Sequence, residues 1–112
     1  MLSLALPLMV AIAPATTFST VEISDGSCLA AFSLLASTGD KEKVNAALPG
    51  AYYFIGKLFA RNTTLELTTL LRLVAPDVKR NYAGELQRCS AEVRVKAEAL
   101  IASGQALSAD GI

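Results

Sequence analysis

The chain contains no histidine. That removes both the commonest general base near neutral pH and the commonest zinc ligand. Only two cysteines are present, Cys28 and Cys89, too far apart for a C-x-x-C redox pair. An excess of either charge is missing too, since 10 Lys and Arg balance 10 Asp and Glu. Nothing therefore drives binding to nucleic acid, and no such partner is expected. The sequence has no G-x-S-x-G elbow, P-loop, dinucleotide-binding glycine run or EF-hand loop. No catalytic, metal-ligating or cofactor-binding residue is predicted, and the protein is not expected to be an enzyme. The one candidate carboxylate pair, Glu85 with Glu92, has basic neighbours at helical spacing, which favours ion pairing.

Charge is also absent locally. From Met1 to Val21 no residue is charged, and Leu2 to Ala15 is almost wholly apolar, broken by Pro7 and Pro14. That run is short for a membrane span, which needs about 20 apolar residues. It suits the apolar region of a signal peptide with Ala13-Pro14-Ala15 as the cleavage site, although the basic residues that normally precede such a region are missing. The competing reading is a buried N-terminal helix. The 112 residues make one domain at most. The expected organisation is a leader over 1–15, a flexible linker over 16–26, a helical domain over 27–107 and a disordered tail over 108–112. Loss of the leader leaves no stable membrane span, and the expected location is periplasmic or secreted.

Two cysteines in a small exported chain are expected to pair, because the compartment is oxidising. Closing a loop of roughly 60 residues constrains the unfolded chain by about 4 kcal/mol. The alternative, two buried thiols in a cytosolic protein, requires the leader reading to fail.

No alternating run of strand type follows residue 26, and helix signals dominate. A first helix is predicted over about 27–37, capped by Asp25 or Ser27 and stopped at Gly39. A second segment starts after Asp40 and reaches Ala60 or Arg61. Pro49 and Gly50 are expected to break or kink it, with Leu48, Tyr52, Ile55 and Phe59 as its apolar face and Gly56 as a point of close approach. Thr63-Thr64-Leu65-Glu66 matches a capping box for a third helix, which Pro76 should end. Asn62-Thr63-Thr64 also fits a glycosylation sequon, but a loop and a cap explain it better. The fourth helix should run from about Asp77 or Arg80 to Leu107, with Leu86, Cys89, Val93, Leu100 and Leu107 on one stripe. Its opposite face, with Glu85, Arg88, Glu92 and Lys96, reads as solvated. The fold class predicted is all-α, a small irregular antiparallel bundle of about four helices closed by one disulfide.

Four of the seven aromatics fall between Tyr52 and Phe59. Consecutive helical residues cannot all point inward, so Tyr53 and Phe54 form the candidate contact surface, for a protein partner or for self-association. The alternative is a wide buried stripe in a central helix.

The segments SCLAAFSLLAS with a following Gly-Asp, AYYFIGKLFAR, and LQRCSAEVRVKAEAL with a following Gly resemble a group of small exported proteins of alphaproteobacteria. Cys28, Gly56-Lys57-Leu58 with Arg61, and Cys89 carry the likeness, which implies structure and no activity. Cysteine placement and helix order are more distantly similar to periplasmic acid-stress chaperones of the HdeA type. That likeness implies an alternative function, a holdase that opens at low pH and exposes apolar surface to unfolding clients.

Overall fold

The computed structural model describes residues 17–111. The expected leader over 1–15 lies outside them. Four helices in chain order make up the described chain: α1 (Thr20–Ala36), α2 (Lys41–Arg61), α3 (Leu67–Arg80) and α4 (Tyr82–Ala109). Among the described residues there is no strand, and no helix is long and apolar enough to cross a membrane. The helices pack as an irregular bundle whose core is Cys28, Leu29 and Phe32 of α1, Phe54 and Leu58 of α2, and Leu70, Val74 and Val78 of α3.

Helix α1 begins well before the predicted start and absorbs residues assigned to a linker. The reason is a capping box at Ser19. Its Oγ accepts from the Glu22 amide at 3.1 Å, while its own amide donates to Glu22 Oε1 at 2.8 Å. The same signature was read at Thr63–Glu66, where the structure makes no cap. There Asn62 Oδ1 accepts from the amide and hydroxyl of Thr64, and Leu65 tucks into the core ahead of α3. Gly39, at φ 79°, supplies the expected left-handed stop after α1.

Helix α2 runs unbroken through Pro49, and α3 through Pro76, contrary to the breaks expected at both. Both prolines are exposed, so the carbonyl that each deprives of a partner lies on the water side of its helix. The buried face of α2 also differs from the prediction. It is Ala47, Gly50, Phe54 and Leu58, of which Ala47, Phe54 and Leu58 lie one residue back from the expected stripe, a turn of about 100°. Tyr52 is 67% exposed. The small residues decide between two stripes of equal period, because helices approach closest where side chains are shortest. A Cβ at Gly50 would lie 2.5 Å from the Phe32 ring, and one at Gly26 would lie 2.8 Å from Leu70. Gly56, by contrast, has nothing near it.

The predicted disulfide is present. Cys28 and Cys89 are joined across a sequence separation of 61, and both are fully buried. It ties the middle of α1 to the first half of α4. Beyond Val93 every described residue of α4 is exposed, so the helix leaves the body there. Helix α4 continues to Ala109, into the stretch 108–112 expected as a disordered tail, and Asp110 and Gly111 follow in a turn.

Candidate functional site

Two features stand out, and they sit on the two halves of α4. The first is an ion network one helical turn from the disulfide. Asp25 lies three residues before Cys28 on α1, and Glu92 lies three residues after Cys89 on α4. Lys57 of α2 reaches between them, with Nζ 3.0 Å from Asp25 Oδ1 and 2.7 Å from Glu92 Oε2. The Tyr53 hydroxyl donates to the same Glu92 oxygen at 2.8 Å. The ammonium also stands 5.6 Å from the centre of the Tyr53 ring and 5.5 Å from that of Phe54. Three helices thus meet on one lysine.

Burial is uneven across this network. The Asp25 side chain is 5% exposed, while those of Lys57 and Glu92 are 30% and 34% exposed. Asp25 Oδ2 is buried with no hydrogen-bond partner. Desolvation opposes ionisation of Glu92, but the Lys57 ammonium and the Tyr53 hydroxyl outweigh it and hold its pKa below the usual carboxylate value. For Lys57 desolvation is likewise outweighed, by Glu92 and Asp25, and its pKa is raised. Burial, then the neighbouring Glu92, push the Tyr53 phenol up. At the start of α1, Glu22 is held below its usual value, chiefly by the Ser19 amide.

This arrangement corrects two expectations. Glu92 is not part of a solvated face but closes the interhelix network, while Glu85 pairs with Arg88 at 2.8 Å. Arg88 also donates to the Ser24 hydroxyl and carbonyl, at 3.1 and 3.3 Å, stitching α4 to α1 again. The proposed Tyr53/Phe54 contact surface does not form. Phe54 is fully buried, 6.1 Å ring to ring from Phe32, and Tyr53 is half-buried with its hydroxyl engaged by Glu92. The sequence did hold a signal for the network, because Lys57 is the single charge between Val44 and Ala60.

The second feature is the projecting half of α4, Arg94–Ala109. It carries Leu100 at 74% exposure, with Val95, Ile101 and Leu107 each at least half exposed. At the other end of the body an open cleft of about 280 Å³ is lined by Leu34, Thr38, Lys79 and Tyr82. No buried polar group converges on it.

Nothing in this geometry resembles a set of acid, base and nucleophile. Lys57 is held in its charged form by two carboxylates, which is the reverse of what a nucleophilic amine needs. The network can fasten helices, and the projecting half can present apolar surface. Comparison with known protein families, characterised proteins and solved structures finds no match to this chain.

Proposed function

We propose that this protein is an exported module that acts by protein–protein contact, with the projecting half of α4 as its contact surface. The exposed leucine and isoleucine side chains of Arg94–Ala109 carry the reading. Sixteen exposed helical residues gain nothing from the core formed by the described residues, and most of the stability of a protein helix comes from packing an apolar face. The Cys28–Cys89 bond supports export, since such bonds persist in oxidising compartments. A photo-activated cross-linker placed at Leu100 in the native host should give protein adducts. The same probe at Arg72, on the exposed side of α3, should give none. Equal yields from both positions, or none from Leu100, overturn the reading.

A second reading, an acid-activated holdase, draws its support from the network. Glu92 helps fasten the base of α4 through Lys57, and acid removes that charge while the disulfide keeps the helix attached. At pH 2–3 this reading expects binding of an apolar-surface dye and suppression of client aggregation. Absence of both removes it.

A further inference from the structure

We infer that α4 is a redox-operated strap, hinged at Asn81 and latched by the Cys28–Cys89 bond, over a body of α1–α3 that stays folded without it. The device works whatever the projecting arm, residues 94–109, meets.

Helix α4 is attached to the body through very little. Of its 28 residues only Cys89 is fully buried. Leu86 and Val93, about a turn to either side, are half-buried against the core. Two polar ties accompany them: Arg88 donates to the Ser24 hydroxyl and carbonyl, and Glu92 accepts from the Lys57 ammonium. The body, by contrast, interlocks without α4. The Phe32 ring of α1 fills the space over Gly50 of α2, and Leu70 of α3 fills that over Gly26 of α1. Cysteines aside, the largest fully buried side chains are Phe54 and Leu58 of α2 and Leu70 and Val78 of α3. Half-buried apolar contacts and part-exposed ion pairs hold a helix weakly, whereas a covalent tether keeps it at high local concentration.

The joint is a single residue. Helix α3 ends at Arg80 and α4 starts at Tyr82, with Asn81 between them at φ −123° and ψ 39°. A change of those two angles lifts α4 as one piece and leaves α3 in place. Reduction supplies the release. A dithiol gives two electrons and two protons, the sulfur–sulfur bond becomes two thiols, and the dithiol leaves as its own disulfide. Both cysteines are completely buried, so an attacking thiolate reaches them only after α4 has lifted. The Lys57 network and the Arg88 contact therefore guard the bond as well as fasten the helix. Once the bond is reduced nothing covalent returns α4, and the Cys28 face of α1 is uncovered.

Hydrogen exchange of the full chain, oxidised and after reduction with dithiothreitol, tests the strap. Reduction should speed exchange over residues 86–93 by about tenfold or more, while residues 26–34, 52–60 and 68–78 keep their protection within about threefold. Cys28→Ala combined with Cys89→Ala should give the same pattern with no reductant present. Loss of protection in all four helices overturns the inference, because the body then needs α4. So does an α4 that stays protected. The route is read from the rate at which dithiothreitol reduces the oxidised chain. Lys57→Met should raise that rate by about tenfold or more. Urea should raise it only weakly, because lifting one helix exposes far less surface than unfolding the chain. A urea dependence as steep as that of global unfolding means that the bond is reached only in the unfolded chain, which overturns the inference. A rate indifferent to Lys57→Met does the same.

Discussion

The two halves of α4 obey the same heptad-like spacing and meet opposite fates. From Tyr82 to Val93 the stripe Leu86, Cys89, Val93 lies against the body, locked by a disulfide and by the Glu92–Lys57–Asp25 network. From Arg94 onward the same stripe continues through Leu100 and Leu107 into solvent. Periodicity tells that a face wants covering. It does not tell whether the cover belongs to the same chain. In the first half a covalent bond and a shared ammonium select α1 and α2 as the cover; in the second half nothing in the described chain does so.

The largest expected difference between the halves is covalent. Replacing both cysteines, Cys28→Ser with Cys89→Ser, should lower the unfolding free energy by about 4 kcal/mol, the cost of releasing a loop of roughly 60 residues. Urea titration followed by circular dichroism measures it. A loss below 1 kcal/mol would mean that α4 is held by its ion network alone, and the contrast between the halves would narrow to electrostatics.

Next comes the network itself. Lys57→Met leaves Asp25 buried beside Glu92 with no cation between them. Removing one partner of a buried pair costs about 3–5 kcal/mol, and the partial exposure of Lys57 and Glu92 reduces this to about 2–3 kcal/mol. Hydrogen exchange should then quicken over residues 82–93 and stay unchanged over 94–109. Equal acceleration in both halves would show that the arm depends on the body for its helix.

Acid should reveal the same asymmetry. The folded-state pKa of Glu92 is depressed, so its contribution is complete above the unfolded value of 4.5 and is lost as the pH falls through the lower folded value. Lys57 has the opposite sign: its raised pKa gives stability that is present below 10.5 and disappears as the pH rises through the folded value. Stability should therefore drop below about pH 4.5, and Glu92→Gln should flatten that part of the profile. An unchanged acid limb in the variant would assign acid sensitivity to groups elsewhere.

How much of this was legible follows from the kind of interaction involved. Helix class, the start of α2 after Asp40 and the stop at Gly39 rest on local chemistry, and the disulfide was legible because the chain holds only two cysteines. The burial of α2 was misjudged because Leu48-Tyr52-Ile55-Phe59 and Ala47-Gly50-Phe54-Leu58 have nearly the same period. Only the neighbour, Phe32 at Gly50, breaks the tie. The early start of α1 was missed for a related reason. Ser19-Thr20-Val21-Glu22 is a capping box in a polar context, and the helix it opens is held by the packing of Cys28, Leu29, Ala31 and Phe32 further along. Glu92 read as a surface charge because its partner lies 35 residues away in α2. Local rules identified the stop at Gly39 but misplaced the caps of α1 and α3 and the end of α3; long-range pairing determined which face is inside.

The smallest effect is also the sharpest, because it changes sign between the body and the arm. Gly50→Ala puts a methyl group 2.5 Å from the Phe32 ring and should destabilise the body by about 1–3 kcal/mol through overpacking. Gly104→Ala puts the same methyl group into open space and should strengthen the isolated arm by about 0.5–1 kcal/mol, the ordinary helix preference of alanine over glycine. Amide exchange over residues 100–108 should slow severalfold while the body is unaffected. At Gly104 the added methyl group meets nothing in the described chain, so only the helix preference of the backbone is left to act. If Gly104→Ala instead frays the arm, the arm already packs against something in the monomer, and the division of α4 into a covered half and an uncovered half is wrong.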